Sequence, residues 1–365
     1  IGTTNFLSNK PTADSSIYSN NPTDGTFRNM SYNLNYKSIL DTTGKELNVD
    51  VDYARFDNNS DARNETYYYD ATGIALRDPK LLKSESPSDI TIKSAKADYV
   101  HPFNKIFRLE AGAKVSAVET DNNLKYYIIQ NSSETFDPSR SNHFVYKEDI
   151  AAGYLSLSYD KNSTSIKGGL RVEHTSSNGN SITMNKVVDR SYVDFFPTFF
   201  VQQKINENNT IGLSYNRRID RPRYRDLNPF RFYLDEYTFM EGNPFLDPQY
   251  TNNISVNHSW KNMIFTEFTY TNTQDVMVQI VEQNDETKVG KQTMKNLESL
   301  NSFSLTNSIN VSPTQWWRSN NNITAYYNSY KKADSNLDQT NSKLSVNISS
   351  SNSFILPKKY TLELM

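Results

Sequence analysis

Residues 46–56 read ELNVDVDYARF, and polar and apolar side chains alternate without interruption from Glu46 to Tyr53. One face carries Leu47, Val49, Val51 and Tyr53, and the other carries Glu46, Asn48, Asp50 and Asp52. This period of two predicts a β-strand with one apolar and one acidic face. A soluble β-sandwich buries the apolar face, whereas a membrane-spanning barrel turns it to lipid and keeps the charges in a wet lumen. The strand alone leaves both interpretations open.

Seven short stretches of turn-forming residues separate the alternating runs, and Asn, Asp, Gly, Pro and Lys dominate them. They lie at 41–45, 101–105, 160–163, 206–209, 260–263, 312–315 and 357–359. Longer polar connections, for which we expect loops, lie at 57–89, 118–143, 176–191, 219–250, 275–299 and 329–341. Tight turns at one rim and long loops at the other are typical of a transmembrane barrel, and seven turns predict about 14 strands.

The alternating runs are also long. Residues 28–40, 164–174 and 302–311 each approach or exceed the ~9 to 11 residues that span a bilayer when tilted. Strands of globular proteins average about five or six residues. In a barrel, the side chains expected to face lipid are Leu47, Val49, Val51, Ile166, Leu170, Val172, Phe303 and Leu305. Those expected to face the lumen are Asp50, Asp52, Lys167, Arg171 and Glu173.

The composition excludes several classes of protein. The 365 residues include 39 basic and 41 acidic side chains, so the net charge of −2 does not indicate a nucleic-acid binder. The chain has no cysteine, which removes disulfides, thiolate metal sites and cysteine nucleophiles. The mean hydropathy of −0.72 is too polar for a membrane protein built of helices. The aromatic content of 13% suits β-structure and the aromatic girdles of barrels.

Four motifs between residues 144 and 250 carry a resemblance to a known family. They are GLRVEHT (169–175), SYNRRIDRP (214–222), LNPF (227–230) and GNPFLDPQY (242–250). In this order and spacing, they resemble the outer-membrane β-barrel family of TonB-dependent receptor-like proteins of Gram-negative bacteria. Residues 97–116 are similar to the preceding hairpin of the same family, so the resemblance covers roughly 28–300 and, more loosely, the rest.

The resemblance implies a ligand-uptake receptor in the cell outer membrane, surrounded by the lipid bilayer and lipopolysaccharide. Such a barrel has about 22 strands, holds a plug domain of the same protein, and is opened by the TonB complex. No plug domain or TonB box is recognisable here, and Met365 is not the aromatic residue expected at the end of a complete barrel. We therefore expect residues 1–365 to form a single all-β domain, an antiparallel transmembrane β-barrel meander truncated at both ends, with TonB engaged through the missing N-terminal part.

The stretch RRIDRPRYRDLNPFR at 217–231 holds six arginines and two aspartates. One interpretation is a loop organised by its own ion pairs; the other is an inward-facing site for the plug or an anionic ligand. The side chains predicted to face plug or ligand are Arg218, Arg221, Arg223, Tyr224, Asp226 and Asn228. Counting up from the turn at 206–209 points Arg218 inward, and Pro222 turns the chain over the lumen mouth. A desolvated Arg221 needs a carboxylate from the plug, the ligand, or a barrel acid such as Asp220 or Asp226.

Nothing in the sequence indicates catalysis. The four histidines are scattered, and no hydrolase, metalloprotease, phosphate-loop or dinucleotide-binding motif appears. We therefore expect no enzyme activity, no metal and no cofactor. We interpret GNPFLDPQY as a structural turn entering the next strand. Two other functions stay open: an outer-membrane barrel with a structural, adhesion or secretion-assembly role, and a soluble carbohydrate-binding β-protein.

Overall fold

The computed structural model describes residues 2–6, 15–235, 237–284, 286–331 and 340–365. The strands in these residues form one sheet of 18 strands. They are β1 (Gly2–Phe6), β2 (Ser15–Asn20), β3 (Thr23–Ile39), β4 (Glu46–Asp70), β5 (Ala75–Pro102), β6 (Phe107–Gln130), β7 (Ser133–Lys161), β8 (Thr164–Ser181), β9 (Lys186–Asn206), β10 (Asn209–Asp220), β11 (Arg231–Tyr233), β12 (Thr238–Glu241), β13 (Gln249–Trp260), β14 (Ile264–Gln283), β15 (Gly290–Thr314), β16 (Trp317–Lys331), β17 (Thr340–Ile355) and β18 (Thr361–Leu364). A helical turn α1 (Tyr224–Leu227) and a 3-10 turn (Pro357–Lys359) complete the described elements.

The sheet is an antiparallel meander. Consecutive strands pair from β3 to β10, β10 pairs with β13, and consecutive pairing continues to β18. β2 pairs with β4 beyond the end of β3, so β2 continues the line of β3 after a break at residues 21–22. β12 pairs in parallel with β15. Across the described residues, no pairing joins β3 to β17 or β18, so the sheet is not closed.

The seven predicted tight turns each join two strands that pair with one another, and the up-and-down order puts them all at one rim. The prediction of long loops at the other rim was wrong for most of their length. Residues 57–89, 118–143, 176–191 and 275–299 are largely strand, because each pair of strands stays hydrogen-bonded far beyond the length that spans a bilayer. The connection at 219–250 does contain irregular backbone. Residues 332–339 of the predicted loop at 329–341 lie outside the described residues.

The two faces of the sheet differ as predicted. A row of paired residues on one face runs Asp50, Lys96, Lys114, Ala152, Glu173 and Asp194, and the adjacent row on the other face runs Val51, Ala95, Val115, Ala151, His174 and Val193. Val51 and Leu305 are 46% and 49% exposed, so no second layer of described residues covers their face. An uncovered apolar face is stable against lipid, which makes it the outer face and the charged one the inner face.

Aromatic side chains mark the rim of tight turns. Trp260 ends β13, and Trp316 and Trp317 lie at the turn between β15 and β16, where Trp317 stacks on Phe354 at 5.9 Å between ring centroids. Amphipathic rings in this position suit the boundary between hydrocarbon and water. Neither helical turn in the described residues has the length and hydropathy of a membrane-spanning helix.

Leu305→Arg should lower the free energy of unfolding of the membrane-inserted protein by about 2 to 4 kcal/mol, because an arginine on the outer face meets hydrocarbon. The control is Ser304→Arg at the neighbouring position, whose side chain projects to the inner face and should cause a much smaller loss. Urea unfolding of both variants in lipid vesicles measures the difference. Equal losses would contradict the assignment of the faces.

Candidate functional site

Residues 221–250, which we call the inner segment, lie against the inner face of the sheet. The amide of Asn64 on β4 donates to the carbonyl oxygen of Tyr233 at 2.7 Å, and the hydroxyl of Tyr126 on β6 donates to that of Arg231 at 3.2 Å. Farther round the sheet, the Asn243 amide donates to the carbonyl oxygen of Met294 on β15 at 3.1 Å. Because β4 and β15 are far apart in strand order, the inner segment crosses the space that the sheet encloses.

A small hydrophobic core holds the inner segment to the wall. Phe230, 1% exposed, packs with Leu124, Tyr126 and Phe144 of β6 and β7. Burial raises the pKa of Tyr126 to about 12, so this hydroxyl stays protonated and remains a hydrogen-bond donor at neutral pH. Burying a phenylalanine in this way contributes about 1.5 to 3 kcal/mol. The inner segment is therefore a packed part of the fold.

The GNPFLDPQY motif closes the inner segment on itself. The backbone N–H of Asn243 donates to the carbonyl oxygen of Asp226 at 2.6 Å. Gly242 passes so close to Asn228 that a Cβ atom at position 242 would collide with the Asn228 carbonyl oxygen. Leu246 is fully buried. These contacts agree with the structural interpretation of the motif, since they fix the path of the chain into β13.

Arg221 anchors the start of the inner segment to the barrel wall. Its guanidinium donates to the carboxylate of Glu173 at 2.7 Å and to the hydroxyl of Thr175 at 2.8 Å, both on β8. Arg171 donates to the other oxygen of Glu173 at 2.5 Å. The Arg221 side chain is 18% exposed and that of Glu173 only 10%, so the pair is partly desolvated. A charge-assisted contact in such surroundings is stronger than one in open water.

The sequence predicted a carboxylate partner for Arg221 from the plug, the ligand or the barrel, and the structure shows a barrel acid, Glu173. The two acids named as examples, Asp220 and Asp226, have other partners. Asp220 accepts a hydrogen bond from the side chain of Gln249 at 3.0 Å. Asp226 holds Arg223 through two contacts of 2.8 and 3.2 Å. The sequence placed Glu173 on the inner face, but a contact across 48 residues has no local signal.

The other predicted site residues have different surroundings. Tyr224 opens α1, and its carbonyl oxygen accepts from the N–H of Asn228 at 3.0 Å. Asn228 is buried, and its side-chain oxygen accepts from the N–H of Phe230 at 3.3 Å. Arg218 is exposed and pairs with the inner-face residue Thr251, and it makes no ion pair within the described part of the chain. Among the six, Arg218 is therefore the charged side chain that has no ion-pair partner in the described residues.

Where the inner segment begins, β10 separates from β9. Their last pairing is Asn216 with Thr198, while β10 continues beside β13 to Asp220. Arg217 bridges this fork, because it donates to the carbonyl oxygen of Phe195 at 3.4 Å and lies 5.0 Å from the centre of the Tyr250 ring. The fork lets the chain leave the wall and enter the enclosed space.

The inner wall has two kinds of surface. The inner face of β3–β8, which we call the charged sector, holds ion pairs such as Lys37–Glu46 at 2.8 Å and Lys167–Glu110 at 2.7 Å. The inner face of β13–β16, the neutral sector, instead has hydroxyl pairs between neighbouring strands. They are Thr251–Thr273 at 3.1 Å, Ser255–Thr269 at 2.8 Å and Thr306–Thr324 at 3.3 Å. In the described residues, no group of three or more His, Cys, Asp or Glu side chains is arranged to hold a metal ion.

This geometry agrees with the comparison to known families. Residues 37–365 match the model of the outer membrane protein beta-barrel family. The chain belongs to that family. The resemblance inferred from the motifs is thereby confirmed, and the protein is located in the outer membrane of a Gram-negative bacterium. Its inner face therefore borders the lumen of an outer-membrane barrel. No curated protein is significantly similar to this barrel in sequence.

Solved structures that are similar to this barrel include two with a TM-score of 0.51. One is the hemophore receptor HasR of Serratia marcescens, a double mutant in complex with its hemophore HasA and heme; its TM-score is 0.51 at 11% identity over 96% of this chain. The other is the RagAB peptide transporter, with a TM-score of 0.51 at 10% identity over 92% of this chain. This chain covers 65% of the HasR chain and 46% of the RagAB chain. At these identities the likeness concerns the fold alone.

Arg221→Ala should loosen the inner segment, because it leaves Glu173 partly buried with one cationic partner fewer. Breaking a buried pair costs about 3 to 5 kcal/mol, so amide hydrogen exchange within 224–248 should speed up by roughly a hundredfold or more. Mass spectrometry of the intact protein measures this. Arg223→Ala is the control, since its ion pair lies inside the segment, and it should leave the exchange nearly unchanged. Equal protection in both variants would contradict the anchoring role.

Gly242→Ala should destabilise the packing of the inner segment by about 1 to 3 kcal/mol, as overpacking of a tight contact does. The matched control is Gly153→Ala, because a Cβ atom at position 153 has open space around it. Thermal unfolding followed by heat-modifiable electrophoretic mobility compares the two. A stable Gly242→Ala variant with native exchange at 224–248 would show that the Asn228 contact is not required.

Proposed function

We propose that the intact protein is a receptor that imports a ligand through this lumen, with the energy supplied by the TonB complex. The observation that supports this most directly is the inner segment. It lies across the inner face from β4 to β15, where its contacts with both parts of the wall obstruct the path to the lumen. A lumen obstructed by a packed segment must change conformation before a ligand passes, and energised import provides for such a step.

The proposal includes a plug domain of the same protein, which docks on the charged sector. Charged groups of both signs there offer charge-assisted contacts to a polar protein surface, whereas the hydroxyl pairs of the neutral sector do not. In this proposal residues 1–365 form one barrel domain without a plug. The plug- or ligand-facing side chains remain Arg218, Arg221, Arg223, Tyr224, Asp226 and Asn228. Arg218 is the best placed of them, because Arg221 and Arg223 already hold carboxylates of this chain.

One observation favours a second candidate, a surface barrel with a structural, adhesion or secretion-assembly role and no import. β5 has 28 residues and β7 has 29, far more than the ~9 to 11 that cross a bilayer. Paired strands of this length project a large folded surface from the membrane. In both proposals the outer face contacts the lipid bilayer and lipopolysaccharide, and neither involves enzymatic catalysis.

Arg218→Ala should slow ligand uptake about tenfold or more, which is the usual effect of losing one charge-assisted contact. The measurement compares the solutes removed from a defined medium by cells with the receptor, by cells without it, and by cells lacking TonB, using mass spectrometry. Arg63→Ala is the control, because Arg63 is an arginine on the outer face of β4 above the membrane.

Heat-modifiable mobility establishes that each variant inserts and folds. We expect at least one solute whose removal requires both the receptor and TonB. Removal that continues without TonB would contradict energised import, and the absence of any receptor-dependent solute would favour the surface-barrel alternative. Normal uptake by Arg218→Ala would leave the arginine cluster with an organising role only.

A further inference from the structure

A cleft of about 300 Å³ opens at the rim opposite the tight turns. Its walls come from the tip of the β8–β9 hairpin, from residues 242–245 of the inner segment, and from the start of β15. A ligand arriving from outside meets this cleft before it reaches the lumen. None of the six side chains predicted from the sequence lines it.

Positive charge predominates in the cleft. Lys186, Lys291 and Lys295 line it, and Glu282 is the carboxylate that two of them share. The Lys291 ammonium lies 2.9 Å from Glu282, and Lys295 contacts the other carboxylate oxygen. These two ammonium groups hold the pKa of Glu282 below its usual value, so it is ionised at neutral pH.

Lys186 has a different neighbour. Its ammonium group lies 4.3 Å from the centre of the Phe245 ring, and within the described residues it has no carboxylate partner. Among the described residues that line the cleft, Glu241 is the one acid, and it is engaged by Arg231 at 3.4 Å. Three ammonium groups against the single carboxylate of Glu282 leave a surplus of two positive charges among these described groups.

The same cleft has an apolar wall. Phe144 is almost fully buried and forms part of the floor, and Val188 and Pro244 lie beside it. Phe245 is 55% exposed and stands at the edge. A pocket that combines apolar surface with a few polar groups fits a ligand whose body is apolar and whose head is charged.

We infer that this cleft binds an organic phosphate or carboxylate, with the anionic head among the three lysines and an aromatic or aliphatic body against Val188 and Phe245. The inference rests on the proposed function, because it names the chemical class of the ligand that the receptor takes first. A free metabolite and the phosphate groups of neighbouring lipopolysaccharide share this chemistry. The experiment therefore has to distinguish these two sources.

Isothermal titration of the intact receptor in phospholipid nanodiscs with phenyl phosphate tests the inference. We expect saturable binding that weakens as salt is added, because screening reduces attraction between exposed charges. Inorganic phosphate should bind more weakly, since it has no apolar body, and phenol should not bind measurably. Phenol binding as tight as that of phenyl phosphate would overturn the inference.

Some variants remove a positive charge and one removes a negative charge, and their opposite effects on affinity make the test specific. Lys186→Gln and the double variant Lys291→Gln/Lys295→Gln should each weaken phenyl phosphate binding about tenfold or more. Glu282→Gln should strengthen binding, because it removes the carboxylate that competes with the ligand, and a merely structural role would not produce this increase. Phe245→Ala should reduce the preference for phenyl phosphate over inorganic phosphate. Lys105→Gln, at the opposite rim, is the control and should change nothing.

Unchanged affinity in both lysine variants would overturn the inference. Nanodiscs that contain lipopolysaccharide then identify the source: loss of phenyl phosphate binding there assigns the cleft to a lipid phosphate, and retained binding assigns it to a soluble ligand. The titration uses neither TonB nor living cells. A failure of energised import therefore leaves this result unaffected, and a failure of anion binding leaves the import measurement unaffected.

Discussion

The structure depends on one constraint: a backbone N–H or C=O group that faces hydrocarbon has no partner unless the protein supplies one. Here the partners come from neighbouring strands, which keep register over long distances. β14 and β15 pair without a shift from Ile264–Ile309 to Gln274–Ser299. Once the strands are paired in this way, side chains must alternate between lipid and lumen. The alternation at Val51 and Asp52 is thus a consequence of hydrogen bonding as much as of hydrophobicity.

The irregular part of the chain lies inside the wall. Residues 221–250 leave the wall at the fork between β9 and β10 and turn inward. Two contacts with the wall stabilise them there: the burial of Phe230 and the ion pair between Arg221 and Glu173. Because the pair is only partly buried, its desolvation cost stays small, and the attraction is still stronger than in open water. The lumen therefore contains a folded segment of the same chain.

Different strands of the inner wall carry different kinds of side chain. Ion pairs such as Lys167–Glu110 fall on β3–β8, whereas hydroxyl ladders such as Ser255–Thr269 fall on β13–β16. The proposed docking of a plug on one sector would leave the other sector beside the ligand path. The cleft at the rim has a third composition, with lysines beside exposed aromatic surface. In the proposed function, a ligand that enters there meets a positive charge first and mainly hydroxyl groups later.

Much of the fold was readable from the sequence, because its signals are local. The alternation of residues 46–56, the seven turns and the motifs from 169 to 250 together predicted an antiparallel outer-membrane meander with Leu305 outward and Arg171 inward. Turn chemistry and a period of two depend only on neighbours along the chain, so they survive without knowledge of the fold. The full strand number of the closed barrel stays a prediction. The prediction of long loops was wrong because Asn- and Ser-rich segments also pair as strands when water surrounds them instead of lipid.

The candidate site was less readable. The arginine cluster was visible at 217–231, yet only the tertiary structure paired Arg221 with Glu173 and left Arg218 exposed. The rim cleft was missed entirely, since Lys186 and Lys295 come from strands more than 100 residues apart and carry no motif. The period of two along a β-strand determines to which face of the sheet a side chain points. Which distant side chain it meets depends on register, strand length and the path of the inner segment, and these are set by packing across the whole sheet.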